Sequence, residues 1–540
     1  MRPKERREEL SLAMRNAPRR TRFAPALAAA LVSGCAMVGP DFQTPEATVN
    51  AGWSGTESRI TAQPGDYAHW WRIFDDPALT RLEELGYQQN LPLRVAGVRV
   101  LQARAELGVA IGQEYPQTQQ AVGDLTRQRE SARVPFAPTG NSSQLTWTEA
   151  TIGAQAAWEL DFWGKFRRFV ESADAQLAAS VAGYDDVLVS LTADLATDYV
   201  QLRTFEQQLV VARANVQVQQ QGLQIATARF RGGTTDQRDV EQARTILAST
   251  QATIPQLEQQ VEQTKNAIAT LIGLPPNPLD DLLGTSKGIP VPPAQVGIGI
   301  PADLLRRRPD IRQAEAVAAA QSALIGFQKA DLYPSFTLLG TFGFAASDWQ
   351  QFNLSDIFLA KSRTYSFGPS VTWNFLNYGR ITNQVRAQDA AFQEALITYQ
   401  NTVLVAQQEV ENGLVGFRKQ QEKAKSLSEA VRAAQHSLQL AVAQYRAGVT
   451  DFTTVLVAEQ QLLAQQDSLA VTAGAIPSNL VAVYRALGGG WQIREGQAFV
   501  PPQTIAAMSH RTDWGKLLAY DVKVPPIPVP RPERPRLPEW

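Results

Sequence analysis

Thr151-Ile-Gly-Ala-Gln-Ala-Ala-Trp158-Glu-Leu-Asp-Phe-Trp163-Gly164-Lys165 is the stretch on which the fold turns. In an extended chain Ile152, Ala154, Ala156, Trp158, Leu160 and Phe162 share one face. Thr151, Gly153, Gln155, Glu159 and Asp161 share the other. Strict period two over about 10 residues, with aromatics at the strand end, is the pattern of a transmembrane β-barrel strand. For one strand alone, a half-buried soluble sheet is the simpler reading. The pattern recurs, however. In 335–344 it sets Phe336, Leu338, Phe342 and Phe344 on one face. In 364–375 it sets Tyr365, Phe367, Val371, Trp373 and Phe375 against Ser366, Gly368, Ser370, Thr372 and Asn374. A fourth, more polar strand is expected near 117–127.

Outward from Gly164 the period changes. No proline occurs from there to Arg231, and a helix of that length runs about 100 Å, against an ordinary mean of about 11–12 residues. Its apolar residues step by three and four: Leu177, Val181, Tyr184, Leu188, Leu191, Leu195, Tyr199, Leu202, Phe205 and Leu209. This is a coiled-coil seam. A second seam follows Leu396, Tyr399, Val403, Ala406, Val410, Leu414 and Phe417. Pro255, in the helix returning from the first turn, predicts a kink or a break. Asp185-Asp186 reads as a solvated face.

The second seam belongs to an internal duplication. Trp158 to Lys165 recurs as Trp373-Asn-Phe-Leu-Asn-Tyr378-Gly379-Arg380, and Phe230-Arg231-Gly-Gly233-Thr-Thr235-Asp236 recurs as Tyr445-Arg446-Ala-Gly448-Val-Thr450-Asp451. Both lie 215 residues on, as Gly488 does from Gly273; Tyr115-Pro116 matches Tyr333-Pro334 at 218. The chain divides accordingly. Residues 35–92 form an N-terminal segment. Residues 93–300 form the first repeat, with a helix over Leu93–Gln113, strands near 117–127 and 146–162, and long helices near 164–231 and 236–271. Residues 301–490 form the second, with a helix over Asp310–Lys329, strands near 335–345 and 364–376, and helices near 379–446 and 451–487. Residues 491–540 close the chain, and the proline-rich tail Lys523–Trp540 reads as extended or disordered.

The front end reads as a secretory signal. Arg15, Arg19, Arg20 and Arg22 precede an apolar run, Phe23–Val32, too short to span a bilayer. Val32-Ser33-Gly34-Cys35 then matches a bacterial lipobox, which makes Cys35 the lipid (palmitate) attachment point and residues 1–34 the signal. Met14 is an alternative start to Met1. Ala36 permits transfer to the outer membrane. Cys35 is the chain's lone cysteine, so no internal disulfide is expected.

Composition narrows the function. The chain has 540 residues, is 44 % apolar and 19 % charged, and carries a net charge of −1. Residues 1–34 contribute eight basic and three acidic side chains, so the remainder stands at −6. Nothing in this balance calls for nucleic acid. His69, His436 and His510 lack metal-ligand spacing, and methionines occur at 1, 14, 37 and 508, leaving no Met-lined route for soft metals. There is no P-loop, no G-x-S-x-G and no catalytic carboxylate pair. The expectation is a protein without cofactor or metal that is not an enzyme.

Four strands cannot close a barrel, since the smallest outer-membrane barrels use eight, and open edges are not tolerated in lipid. Other copies must complete it, giving eight strands in a dimer or 12 in a trimer. Here a family resemblance adds to the residues. Cys35-Ala-Met-Val38-Gly39-Pro40-Asp41-Phe42, Trp70-Trp71-Arg-Ile-Phe74-Asp-Asp76-Pro77-Ala-Leu79, Arg307-Arg308-Pro309-Asp310-Ile311 and Asp331-Leu-Tyr333-Pro334-Ser335 resemble the lipoprotein efflux channels of the TolC family. The resemblance spans residues 35–491. It implies a mixed fold: a homotrimer whose 12-stranded outer-membrane β-barrel is continued by a long-helix periplasmic α-barrel, built from two internal structural repeats. It further implies a lipid-anchored exit duct in a tripartite efflux system, exporting small toxic compounds or antibiotics. Its partners would be a periplasmic adaptor (membrane fusion) protein, an inner-membrane resistance-nodulation-division pump and outer-membrane lipid. The alternatives are an exit duct for type I protein secretion and, from another class, a periplasmic coiled-coil scaffold lipoprotein.

Two sets of site residues follow. In the hairpin tips Arg231, Gly233, Thr235, Arg446, Gly448 and Thr450, the glycines suit left-handed caps and Thr235 and Thr450 suit caps of the next helix; the resemblance adds adaptor docking. The family often narrows at an aspartate nine positions past the second tip glycine. Here that position is Val457, which leaves Asp451 and Glu459 as candidates for an acidic constriction, against a plainer reading as capping or helix-surface charges.

Overall fold

The computed structural model describes residues 37–50, 52–53, 60–61, 66–131, 133, 145–276, 279–284, 287–293, 296–297, 307–349 and 352–518. The signal segment, Cys35 and the tail Lys523–Trp540 lie outside the described residues. In chain order the main elements are α1 (Pro77–Gln89), α2 (Leu91–Gly112), β1 (Thr118–Arg129), β2 (Thr146–Leu160), α3 (Lys165–Arg231), α4 (Gln237–Leu271), α5 (Pro309–Ala330), β3 (Ser335–Ser347), β4 (Arg363–Thr372), α6 (Arg380–Arg446), α7 (Phe452–Ala486) and α8 (Pro502–Arg511). The helices come in matched lengths: α2 and α5 have 22 residues each, α3 and α6 have 67, and α4 and α7 have 35.

The strands form one antiparallel sheet in the order β1-β2-β3-β4. Its register puts Ala154 opposite Ala121 and Phe342, and Phe342 opposite Tyr365. On the other face Gln155 lies opposite Gln120 and Thr341, and Thr341 opposite Ser366. Period two thus sorts β2, β3 and β4 into an apolar and a polar face, as lipid on one side and water on the other require, while β1 is mixed, with Gln119 and Arg127 on the Ala154 face and Val122 on the other. β1 and β4 are the sheet's edges.

Gly164 (φ 74°) and Gly379 (φ 81°) occupy the left-handed region where strand gives way to helix. Asp161 stabilises the first of these corners: its carboxylate accepts from the backbone N–H of Phe166 at 3.2 Å and of Arg167 at 3.0 Å, filling donors that a helix start leaves unpaired. The four long helices lie side by side in the order α4-α3-α7-α6, while α5 packs on both α3 and α6, and α2 on α3. Among the described residues no helix is long and apolar enough to cross a membrane.

The main apolar core lies where α1, α2, α3 and α7 meet, with Trp70 stacked on Tyr484 at 5.3 Å. Asp76 caps α1 at Ala78 N (2.9 Å) and accepts the Tyr199 hydroxyl at 2.6 Å, which ties the Trp70–Leu79 motif to α3. Arg308 reaches Asp310 (2.6 Å), Glu409 (2.7 Å) and the Ala486 carbonyl (2.8 Å), so that motif binds α5 to α6 and α7. Residues 37–50 climb from the base of the sheet: Val38 N donates to the Trp163 carbonyl at 3.0 Å, Asp41 pairs with Arg168 at 2.7 Å, and Asn50 N donates to Gln407 at 3.0 Å.

Several expectations change. The break allowed for at Pro255 does not occur, and α4 stays helical through it. That residue is exposed, so water can take the carbonyl its missing N–H leaves free. Asp185 is not on a solvated face. It is 0 % exposed and holds Arg312 at 2.7 Å and Arg494 at 3.0 Å; its partners are 127 and 309 residues away in sequence. β4 stops at Thr372, so Trp373 and Phe375 follow the strand rather than extend it. Likewise β2 stops at Leu160, before Phe162.

Candidate functional site

Each helical hairpin reverses within a few residues. Gly233 (φ 69°) and Gly448 (φ 76°) take the left-handed conformation. Thr234 N returns to the Arg229 carbonyl at 2.9 Å and Val449 N to the Gln444 carbonyl at 3.0 Å, which closes the helix ends in the way glycine permits. A Cβ on Gly233 would meet nothing within 4 Å. Arg231 and Arg446 are exposed beside these turns.

The caps sit one residue later than expected. Asp236 and Asp451 hold the N-cap positions, and Asp451 accepts from Thr454 N at 3.4 Å. Thr235 instead donates to Asp239 in α4, and Thr450 pairs with Thr454 at 2.7 Å.

The two tips also touch. The Arg229 guanidinium lies 4.6 Å from the Tyr445 ring centroid, and the Tyr445 hydroxyl donates to Asp239 at 3.2 Å. A small apolar cluster of Ala226, Val240, Ala243, Leu438, Ala441, Tyr445, Phe452 and Val455 backs this contact. Sequence reading missed Arg229, Asp239 and Tyr445. The one available signal was that Tyr445 adds a hydroxyl to the position Phe230 holds in the first copy.

The constriction candidates separate. Asp451 and Val457 line a cavity of about 480 Å³ together with Ala434, Ser437 and Gln461, between α6 and α7. Asp451 is exposed, and its cap makes the plainer reading fit it. Glu459 is neither a surface charge nor a cap. It is 2 % exposed and faces α3, where a Cβ on Gly222 would stand 3.0 Å from its Oε1. Two residues along a helix turn the side chain by about 200°, so Val457 and Glu459 point opposite ways. Burial pushes the Glu459 carboxyl up to about 7.

The profile described as outer membrane efflux protein matches residues 85–274 and again 300–489. The chain belongs to this family. Nodulation protein T of Rhizobium leguminosarum bv. viciae is 31 % identical over 490 residues, covering 90 % of this chain and 97 % of the relative. The pyoverdine export outer membrane protein OpmQ of Pseudomonas putida is 32 % identical over 449 residues, covering 82 % and 92 %. The solved structure of the outer-membrane channel OprN superposes with a TM-score of 0.77 at 34 % identity, covering 84 % of this chain and 99 % of that one.

As an outer membrane efflux protein, the chain combines a β-barrel sheet in the outer membrane with a helical barrel reaching into the periplasm, and it serves efflux. The family consists of channels rather than enzymes. The two stretches matched by the profile begin 215 residues apart, the spacing between the first residues of α3 and α6.

Proposed function

We propose that three copies of this outer membrane efflux protein close a single passive duct. Small toxic compounds would leave through it when a periplasmic adaptor links it to an inner-membrane resistance-nodulation-division pump. OpmQ is a pyoverdine export protein, which supports small organic molecules as the exported class.

The observation that carries the reading is that surfaces left open on one repeat are covered on the other. Ile397, Leu404 and Val415 form an exposed stripe on α6. Their copies on α3, 215 residues earlier, are Ala182, Val189 and Val200, all buried. On α2, Leu91 and Val98 are exposed, while their copies Pro309 and Ala316 on α5 are buried. Trp163 stacks on Tyr333 at 4.7 Å and donates to the Pro334 carbonyl at 2.8 Å. Its copy Tyr378 is 98 % exposed. A contact made within the chain, from repeat one to repeat two, is therefore available again from repeat two to repeat one of the next copy. That heterologous contact closes into a ring and joins β4 of one copy to β1 of its neighbour, removing both edges.

Lipidation at Cys35 fits the same placement. Cys35 stands two residues before Met37, about 7 Å of chain. Met37 packs against Gly164 at the base of the sheet, so acyl chains there would enter the membrane beside the barrel. Mass spectrometry of the mature N-terminus is expected to find acylated Cys35 as the first residue. An unmodified peptide crossing Gly34-Cys35 in the membrane-extracted protein would contradict the anchor.

The adaptor is proposed to dock at Arg231, Gly233, Thr235, Arg446, Gly448 and Thr450. Asp451 and Val457 are proposed to flank the narrow end. A cell lacking its own copy should regain drug resistance with the wild-type chain but lose most of it with Gly448→Asp. A non-glycine residue in a left-handed site costs roughly 1–2 kcal/mol, too little to unfold helices of 67 and 35 residues, so the variant should still reach the outer membrane assembled. Full resistance with undiminished tip-to-adaptor crosslinking would reduce the tip to a simple turn.

A further inference from the structure

We propose that Glu459 is a proton-operated latch between the two helical hairpins: protonated, it lets α7 pack on α3; ionised, it drives them apart and widens the periplasmic end. The proposal rests on the reading of the chain as a duct. It concerns the opposite face of α7 from the one that lines the Asp451–Val457 cavity.

The geometry is that of a buried acid at a joint. Each hairpin is one pair of antiparallel helices, α3 with α4 and α6 with α7, and within the chain the two pairs meet mainly along α3 and α7. Glu459 lies in that joint. Both of its carboxylate oxygens are buried without a hydrogen-bond partner among the described residues. Gly222 on α3 supplies the notch that admits it, since a Cβ there would press on Oε1. Gln219, one turn earlier on α3, is also buried, and both its amide atoms are unpartnered. A neutral acid tolerates such a place far better than a carboxylate does.

No counter-charge offsets this. On α3 there is no charged residue between Arg213 and Arg229, and on α7 none other than Glu459 between Asp451 and Asp467. The neighbouring charges on α6 are Arg432, His436 and Arg446. Those on α4 are Arg238, Asp239, Glu241 and Arg244, of which Arg238 is exposed and lies 3.9 Å from Asp239, and Arg244 is paired with Glu241 at 3.0 Å. Burial alone raises the Glu459 carboxyl, to about 7 from an ordinary 4.5. The sign follows. The packed joint holds a proton that the separated joint releases, so packing is favoured fully below about 4.5. It weakens by up to tenfold per pH unit as the pH rises, and the bonus is gone above about 7. A joint that must slide for a duct to open is where such a group has leverage, because each of the assembled copies carries one.

The test uses the full chain reconstituted in a planar bilayer. Wild-type open probability is expected to rise at least about tenfold from pH 5 to pH 8. Glu459→Gln, which keeps the shape and stays neutral, should remain at the low value throughout with unchanged unit conductance. A second measurement does not depend on conductance. Spin labels at Gln208 and Asp467, which bond across the same two helices at 2.7 Å, should move apart as the pH rises in the wild type and stay put in Glu459→Gln. Conducting channels whose opening ignores pH, or a Glu459→Gln variant that keeps the wild-type profile, would overturn the latch and leave the duct standing. No conductance from the wild type at any pH would instead count against the duct, while the label distances still decide whether the joint responds to protons.

Discussion

Asp185→Ala should destabilise the protein by about 3–5 kcal/mol, because removing one member of a buried ionic group leaves the others charged and unpaired. Asp185 is fully buried on α3. Arg312 comes to it from α5 and Arg494 from the segment after α7. The Arg312 guanidinium also lies 4.4 Å from the Trp491 ring centroid, and Trp491 donates to the Arg307 carbonyl at 3.1 Å. One carboxylate thus holds three segments together in the middle of the molecule. Its loss strands the Arg494 side chain, 13 % exposed, and leaves Arg312, 26 % exposed, without its ion pair. Asp185→Asn, which keeps the shape and one acceptor, should cost less than the alanine. Urea unfolding followed by tryptophan fluorescence would measure both. A shift below about 1 kcal/mol for the alanine would place Asp185 with ordinary surface pairs and remove its structural role.

Leu404→Asp should abolish assembly. In the single chain Leu404 is 57 % exposed on α6, whereas Val189, its copy on α3, is 4 % exposed. If each copy of the chain covers its neighbour's stripe as the two repeats cover each other, an aspartate at 404 is buried without a partner in every subunit contact. The effective penalty is several kcal/mol per ion, and it recurs at each contact around the ring. Native mass spectrometry in detergent should show three times the mature mass for the wild type and monomer for Leu404→Asp. Val210→Asp is the control. Val210 is exposed on α3, and its copy Lys425 is exposed on α6, so neither repeat covers that position and the trimer should survive. A trimeric Leu404→Asp would refute the seam.

The duplication was legible because it is written in landmarks that the backbone demands. Gly164 and Gly379 turn strand into helix, Gly233 and Gly448 turn helix back on helix, and all four have positive φ. The coiled-coil seam was legible too. From Leu177 to Leu202 each residue assigned to it is buried, as is each from Tyr399 to Phe417. The site was read less fully. Gly233 and Gly448 are where expected, yet Arg229, Tyr445 and Asp239, which join the two tips, were not found, because a cation over a ring leaves no spacing signal in one chain.

What the sequence by itself determined was the set of elements, the lengths of the long helices and their repetition. Periods of two and of 3.6 arise from bonds between near neighbours, and a stretch of chain carries them wherever it is placed. What the tertiary structure decided was which face of each long helix is inside. A helix of 67 residues offers several faces, and the choice rests on partners hundreds of residues away. It put Asp185 in the interior with two arginines. It turned Glu459 onto Gly222 while Val457 two residues earlier stayed exposed. Pro255 kept its helix because it came to lie on the open side. A charge has the same local sequence whether it meets water or a neighbouring helix; only packing tells the two apart.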